Sequence, residues 1–579
     1  MVQRAEVKYQ TTTRYAAGNW NSQEVGASCC VARYKRYRCL IMVAIVVGRV
    51  GFACCNVAIL CGCASSKSDR RAAHYFSSIF PTRRTNNILT LHIGNNMATP
   101  NNLRNAVPRI AVIGGGITGT LASLVLKNRN CSPVLIDRGH GGVGGRLRSN
   151  RSKLAHYRQS PTRNEPGDEN KCAVDAGAQF FRATDPRLAT VFGMLETAGM
   201  LSVWEGRFGL LGSQGGGFLP SSIVGGAGLR GMGRVGPDGD EDSQEQKAQM
   251  QKHTDAGDFC GFAQHHRPDT TPTYVASGSN TNLCPAICAQ AGIDIVSDAL
   301  VVKASTVPGG GWKLEVEGNG DDDVGALNNT IFDALVLATH DASLAASTVK
   351  FIANAEAEAG ISEADAAAGG SIQDRLNNLG DDLQSLRDDG RLPLFTWSGR
   401  FDNDFSERIP FDGASVPGSH TVQFLARESS KPGRVKQEQD TTKEDAIWTA
   451  VSTSAFAADV LKRLGSTREA SEEASQIMSE EVSTLLASAA SANEIGAGKS
   501  RSQSPVHQPR DASAVRWASA LTSKTLGLKE DSVTLAPWRL AICGDFIREQ
   551  DAHETPFEAA ALSGLEAGER VASFFAQQE

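Results

Sequence analysis

The body of this chain has no Cys-x-x-Cys pair. Of 13 cysteines, seven lie before residue 64, and the other six (Cys131, Cys172, Cys260, Cys284, Cys288, Cys543) are scattered. That excludes a cysteine zinc site and a disulfide framework and points to a reducing compartment. Acidic residues are scarce at the start and abundant later. Residues 1–108 carry 14 Lys+Arg against 3 Asp+Glu, and the remainder carries 44 against 61. A body of net charge −17 argues against nucleic acid as a partner. A nucleotide phosphate loop is missing too: Gly498-Lys499-Ser500 has Asn493 where the motif needs its first glycine. Aromatics amount to 6%, which leaves few candidates for an aromatic cage. What the chain does have is 579 residues, enough for several domains, and 41% hydrophobic residues to fill a large core.

Residues 1–105 differ from the rest. Cys39 to Ser65 is almost continuously apolar, broken mainly by Arg49. A basic stretch, Arg33 to Arg38, precedes it, and a Ser/Arg-rich stretch with Asp69 as its only acid follows. This reads as a targeting leader or a membrane anchor. Alternatively, the segment lies outside the functional protein, whose polar lead would begin at Met97. With the leader retained, the protein is organelle-targeted or membrane-anchored; without it, cytoplasmic.

The most informative stretch is Gly114-Gly115-Gly116-Ile117-Thr118-Gly119. It follows an apolar run, Ile110 to Ile113, that reads as a buried strand, and it opens a helix running to Asn128. A second strand, Pro133 to Asp137, ends on an acid 23 residues after Gly114. Strand, glycine turn, helix and acid-terminated strand together form the dinucleotide-binding signature. Gly114 permits the turn, Gly116 lets a pyrophosphate approach the backbone, and Gly119 lets the helix lie close on the strand. The helix N-terminus offers N–H groups to phosphate. Asp137, followed by Arg138, can accept from a ribose hydroxyl. A second glycine-rich loop, Gly139 to Arg146, closes with Gly144-Gly145-Arg146. Backbone amides and a guanidinium facing an anion suit an extended, buried FAD better than a nicotinamide dinucleotide.

These residues resemble the flavoprotein amine-oxidase superfamily, and within it the renalase-like oxidoreductases. The family carries a Gly-Gly-Arg loop after the ribose acid, although that acid is usually Glu and the spacing here is about one residue longer. Asp175-Ala176-Gly177-Ala178-Gln179-Phe180-Phe181 is similar to a family segment leading to the isoalloxazine ring. By the same resemblance, a backbone amide near Val301 meets the adenine, and the strand Phe332 to Thr339 passes the cofactor through Ala338 and Thr339. His340 stands where the family often has proline; it reads as a strand-end residue in solvent, with a proton relay as the alternative. Ser429-Ser430-Lys431-Pro432-Gly433-Arg434 resembles a turn of bacterial renalase-like proteins. Either it is only a Pro-Gly turn, or its two cations bind a phosphate-bearing substrate. Arg516-Trp517 resembles a further family segment.

Near the C-terminus, Leu540 to Cys543 reads as a strand ending in Gly544-Asp545, whose carboxylate takes ribitol hydroxyls in this superfamily. Thr555-Pro556-Phe557-Glu558 spells a capping box for a helix opened by small residues from Ala559 on. Its dipole would favour charge on a reduced flavin. Glu558 and Ala559 join the cofactor candidates. No Ser-Gly-Gly-Cys-Tyr segment exists, so the resemblance implies noncovalent FAD.

The expected fold is α/β, a Rossmann-type FAD-binding domain interleaved with a mainly antiparallel-sheet substrate domain. Residues 106–200, 285–345 and 535–579 would build the first. Residues 201–284 and 346–534 would build the second, with disordered insertions near 212–269 and 496–513, and with 356–390 helical and surface-exposed. The resemblance implies hydride transfer from a small molecule to flavin N5 with O2 as acceptor, the donor being a dihydronicotinamide isomer if the renalase likeness extends to substrate. A flavin amine or polyene oxidase and a non-enzymatic FAD-binding redox sensor are the alternatives. Substrate candidates are Phe181, Trp397, Lys431, Arg434 and Trp517; no metal is expected.

Overall fold

The structure is a computed structural model that describes residues 107–140, 142–148, 174–212, 217–220, 272–318, 321–358, 371–434, 445–496, 507–549 and 555–576. All of them fall in the unit Lys67–Glu579. The leader, most of 212–269, Cys172 and Cys260 lie outside the described residues. Among those described, no helix is long and apolar enough to cross a membrane.

The chain opens with β1 (Arg109–Ile113), α1 (Ile117–Asn128) and β2 (Ser132–Ile136). Next come α2 (Pro186–Thr197), β3 (Leu201–Val203), β4 (Phe208–Leu211), β5 (Phe218–Pro220), β6 (Tyr274–Ala276) and α3 (Leu283–Ala291). They lead to β7 (Asp294–Val296), β8 (Ala299–Thr306), β9 (Trp312–Gly318), α4 (Asp321–Asn328), β10 (Ile331–Phe332) and β11 (Ala334–Leu337). Then follow α5 (Ser343–Glu358), α6 (Ile372–Asp389), β12 (Arg391–Phe401), α7 (Asn403–Ser406), β13 (Gly413–Ser415), β14 (Val422–Arg427) and β15 (Ala446–Ser452). The last elements are α8 (Ser454–Leu464), α9 (Arg468–Gly496), β16 (Arg510–Thr522), β17 (Ser532–Leu535), β18 (Leu540–Cys543) and α10 (Pro556–Ala576).

A six-stranded sheet has the order β17-β18-β11-β1-β2-β7, parallel except for β17 at one edge. Its strands read as unbroken apolar runs because both faces are covered. Alternate residues serve opposite cores. Ile110, Val112, Leu135 and Val336 face α1 and α10, whereas Ala111, Ile113, Ile136 and Leu337 face β8, β9 and α5. β9 shows the simpler half-buried pattern: Trp312, Leu314 and Val316 are buried, and Lys313, Glu315 and Glu317 between them are exposed.

α1 is buried from Ile117 to Leu126. α10 lies against it through small residues. A Cβ on Gly564 would stand 2.2 Å from the Thr118 carbonyl oxygen, and one on Gly568 2.7 Å from Val125 Cβ. Gly564→Ala is therefore expected to lower stability by roughly 1–3 kcal/mol through overpacking against backbone. A thermal melt checks this; an unchanged melting temperature would show that the helices separate freely.

A seven-stranded sheet has the order β16-β12-β15-β14-β13-β4-β5, antiparallel apart from the β13/β4 pair. α9 covers it with a stripe of Ala470, Ala474, Met478, Val482, Leu485 and Ala489, a spacing of one helical turn. Together the two sheets give the α/β architecture that the sequence implied.

Three expectations are corrected. Residues 510–513 begin β16, so the insertion expected to be disordered near 496–513 ends earlier; Arg510 to Thr522 pairs along β12. Residues 218–220 form β5 and pair with β4 rather than belonging to an unstructured insertion. Residues 346–358 and 371–389 do not join the second sheet. α6 is more than a surface helix: Leu376, Leu383 and Leu386 pack with α5 against the parallel sheet, and Ser371 and Asp374 cap its start reciprocally.

Candidate functional site

Four parallel strands end at one edge of the six-stranded sheet, and four candidate segments follow their ends: Gly114 after β1, Asp137 after β2, Ala338 after β11 and Gly544 after β18. The order reverses between β1 and β11, because β2 lies on one side of β1 and β11 on the other. Ligands of open α/β sheets bind outside strand C-termini at such a switch point.

The glycines are required by close approach. Gly114 has φ +112°, and a Cβ there would lie 2.6 Å from the Ala338 oxygen; one on Gly119 would lie 2.0 Å from the Gly114 oxygen. A Cβ on Gly116, in contrast, would meet only Gly145 Cα of the second glycine loop, at 4.0 Å, an ordinary contact. Gly116 is the N-cap of α1 and supplies no side chain to the first-turn N–H groups. The second glycine loop lies on the first: Gly144 N–H donates to the Gly115 carbonyl at 2.7 Å. Ile117 and Thr118 are buried behind the loop.

Asp137 accepts from Gly115 N–H at 2.7 Å and Gly139 N–H at 2.8 Å, so its carboxylate pins both glycine loops. Arg138, next along, is exposed. Val301 turns its side chain into the core beneath β8, and the start of β8 is held at the site by Ala299 N–H donating to the Asp137 carbonyl.

Arg146 and Asp545 are 399 residues apart and meet in a bidentate pair, at 2.7 and 2.8 Å. Arg146 also donates to the Ala520 carbonyl at 3.2 Å. The Asp545 carboxyl is fully buried, and Thr522 Oγ1 donates to it at 3.0 Å. Burial alone would raise its pKa; Arg146 and His340 outweigh that and hold it far below the usual carboxylate range. Gly544, at φ +156°, donates its N–H to Ser563 Oγ.

His340 is not in solvent, which overturns the first of its two readings. Its ring is largely buried, with Nε2 3.0 Å from Ser519 Oγ and Nδ1 3.5 Å from Asp545 Oδ1. Burial, and then the nearby Arg146 charge, hold its pKa below the ordinary imidazole value against the pull of Asp545. Arg391 donates to Ser519 Oγ at 2.8 Å and to the His340 carbonyl at 2.5 Å. A bulge makes this possible. Leu394 pairs with Trp517 but Leu392 with Leu521, so β16 holds two extra residues there, and bulges re-aim side chains beside sites. Arg391, Ser519 and Thr522 were not among the sequence candidates, and alternation along β16 carries no sign of the bulge.

Gly177 and Ala178 meet the second glycine loop: Ala178 N–H donates to the Arg146 carbonyl at 3.1 Å, and a Gly177 Cβ would sit 2.0 Å from that oxygen. Gln179 turns the other way, its Oε1 accepting from Thr449 Oγ1 at 3.0 Å and Lys431 Nζ at 3.3 Å. Thr339 Oγ1 donates to the Asp341 carbonyl. The expected capping box at α10 is half formed. Thr555 Oγ1 accepts from Glu558 N–H at 3.2 Å, but the Glu558 carboxylate accepts from Thr184 N–H at 2.5 Å and Asp185 N–H at 2.7 Å. Burial pushes the Glu558 pKa up despite these donors. Ala559 is buried in that first turn.

Four of the five substrate candidates are corrected. Phe181 is fully buried and stacks on Phe557 at 4.4 Å. Trp397 is fully buried in the second sheet's core and donates to Ser479 Oγ. Lys431 and Arg434 are 2% and 6% exposed. Lys431 Nζ lies 2.5 Å from Glu428 Oε1 and 3.2 Å from Asp175 Oδ2, and Arg434 pairs with the same Asp175. They form an internal ion network, not an anion site facing the solvent. Trp517 alone stays half-exposed, its Nε1 making no hydrogen bond. Phe180 points opposite to Phe181, towards Trp204 and Phe424 at centroid distances of 6.5 and 5.9 Å. Leu394, Ala520 and Leu521 border this aromatic cluster, which places it beside the β16 bulge.

Residues 112–195 match the model of the NAD(P)-binding Rossmann-like domain. The matched stretch takes in the end of β1, both glycine loops, α1 and β2. No curated protein matches the chain. Among solved structures, an oxidoreductase from Methanosarcina mazei is similar at 12% identity and TM-score 0.45, over 80% of this chain and 100% of its own. A putrescine oxidase bound to putrescine gives 11% identity and TM-score 0.44 over 82% and 99%. Cyclohexylamine oxidase from Brevibacterium oxydans gives 10% identity and TM-score 0.45 over 81% and 100%.

Proposed function

We propose that the chain is an FAD-dependent oxidoreductase acting on a small molecule, with the dinucleotide held noncovalently across the C-terminal edge of the parallel sheet. The observation that carries this reading is the convergence of both glycine loops and the Arg146–Asp545 pair at the uncapped start of α1. The residues present fit the group. The uncapped N-terminus of α1 suits a diphosphate, with Arg146 as its counter-charge. Asp545 suits ribitol hydroxyls, and the first turn of α10 suits the pyrimidine edge. If held there, FAD would supply the redox chemistry, hydride acceptance at N5 with dioxygen as the oxidant that is reduced to hydrogen peroxide. The protein's part is position and electrostatics.

Phe180 and Trp517 border the apolar side of the site and are the residues to contact a donor. Burial of Lys431 and Arg434 removes the expected support for a phosphate-bearing substrate at that turn. An amine donor is the second reading. Dihydronicotinamide isomers remain to be tried beside amines. The test is the visible spectrum of the purified chain with FAD, followed by anaerobic mixing with both donor sets. Bleaching of flavin absorbance near about 450 nm is expected with one set. A colourless protein that takes up no FAD overturns the flavin reading, and coloured protein that no donor bleaches supports a non-enzymatic FAD-binding redox sensor.

In this reading the hydroxyl that Thr522 donates to Asp545 orients a carboxylate for ribitol. Thr522→Val should weaken FAD roughly 10–150-fold, the worth of one hydrogen bond to a charged group. Fluorescence titration checks this, with Thr522→Ser expected to restore affinity.

A further inference from the structure

We propose that FAD binding exchanges the ion pairs of this site: Arg146 leaves Asp545 for the diphosphate, and His340 takes a proton from solvent to face Asp545 in its place. The inference rests on the flavin reading above.

Geometry supports it. Arg146 has one guanidinium for two demands, and both of its terminal nitrogens lie on Asp545. Its side chain is 27% exposed, whereas that of Asp545 is fully buried. Arg146 can therefore turn towards a diphosphate at the uncapped start of α1, and Asp545 cannot follow. His340 Nδ1 stands 3.5 Å from Asp545 Oδ1, buried and without a hydrogen bond. It is the group placed to close on Asp545 when Arg146 departs. An uncompensated buried carboxylate is costly, so a cation at His340 becomes favourable at that moment.

The hydrogen-bond pattern says where the proton goes. Arg391 Nη1 donates to Ser519 Oγ, which leaves the Ser519 hydroxyl proton for His340 Nε2. In the neutral ring Nε2 accepts and Nδ1 carries the hydrogen, aimed at Asp545. The added proton binds Nε2, and Ser519 Oγ turns to accept it. Of the charged groups facing the ring, two oppose its protonation and one favours it. Arg146, from the second glycine loop, and Arg391, at the start of β12, disfavour the imidazolium, whereas Asp545, after β18, favours it. Asp341 and Arg138 act on Arg391 in turn. A diphosphate neutralises Arg146, so the strongest charge opposing protonation is cancelled.

A group that gains a proton on binding makes affinity fall as pH rises between its free and bound pKa values, by at most tenfold per pH unit. The test is calorimetric titration of FAD into the full chain, in two buffers of unlike ionisation enthalpy at neutral pH. Uptake of up to one proton per FAD is expected, dropping to near zero in His340→Gln while FAD still binds. Ser519→Ala, which keeps the ring but removes the acceptor for Nε2–H, should reduce uptake in between. FAD binding with no uptake, or with equal uptake in His340→Gln, overturns this inference and leaves the flavin reading standing. No FAD binding by the unmodified chain overturns both.

Discussion

A Gly119→Val chain is expected to lose FAD, with affinity at least about 100-fold weaker, near 2.7 kcal/mol or more. The Cβ at this position would lie 2.0 Å from the carbonyl oxygen of Gly114. That neighbour is backbone and cannot rotate away. Nor can Gly114 shift as a unit, because it sits at φ +112° against the Ala338 oxygen and its N–H donates to Ile136 at 2.8 Å. The strain is relieved only by lifting α1 from β1, which moves the helix N-terminus off the strand edge where phosphate would lie. Gly116→Ala separates fold from binding. Its Cβ meets nothing closer than 4.0 Å, so the melting temperature should hold while FAD affinity drops, the methyl occupying ligand space. Differential scanning fluorimetry beside FAD titration reads both. If both variants bind FAD as the unmodified chain does, the ligand does not lie over this turn.

The parallel sheet and its glycine loops were legible because their signals are local. A turn needing φ above zero and a helix packed on a strand each constrain particular positions, and Gly114 and Gly119 are glycine for contacts within ten residues or across one strand. The C-terminal Gly544-Asp545 was legible for the same reason. What stayed hidden was set by tertiary partners. Phe180 and Phe181 are adjacent and chemically equal; only the second sheet decides that Phe180 meets Trp204 and Phe181 meets Phe557. The cations around Pro432 read as a surface turn because Glu428 and Asp175, which bury them, act from three and 256 residues away. His340 looked like a strand end in water because Ser519 reaches it from a bulge 179 residues on. In each case a long-range pairing overrode a sound local expectation.

That buried ion network carries the second large effect. Lys431→Met should destabilise the protein by about 3–5 kcal/mol, the usual result of removing one partner from a buried pair. Lys431 Nζ touches Glu428 Oε1, Asp175 Oδ2 and Gln179 Oε1, and lies 5.4 Å from the Trp204 ring. Its loss leaves two carboxylates facing Arg434. Burial already raises the Glu428 pKa, whereas the two cations hold Asp175 below its usual value against burial. In the variant Glu428 is therefore the group that takes a proton. A carboxyl whose folded pKa exceeds its unfolded value binds more protons when folded, so acid stabilises the folded state relative to the unfolded one. The deficit should accordingly be smaller at about pH 5 than at about pH 8. Glu428→Leu combined with Lys431→Met restores neutrality around the Asp175–Arg434 pair and should recover most of the loss. Denaturant melts of the two single variants and the double variant give the coupling directly. Additive losses, with no recovery in the double variant, would show that Lys431 acts by packing on Trp204 and not by charge.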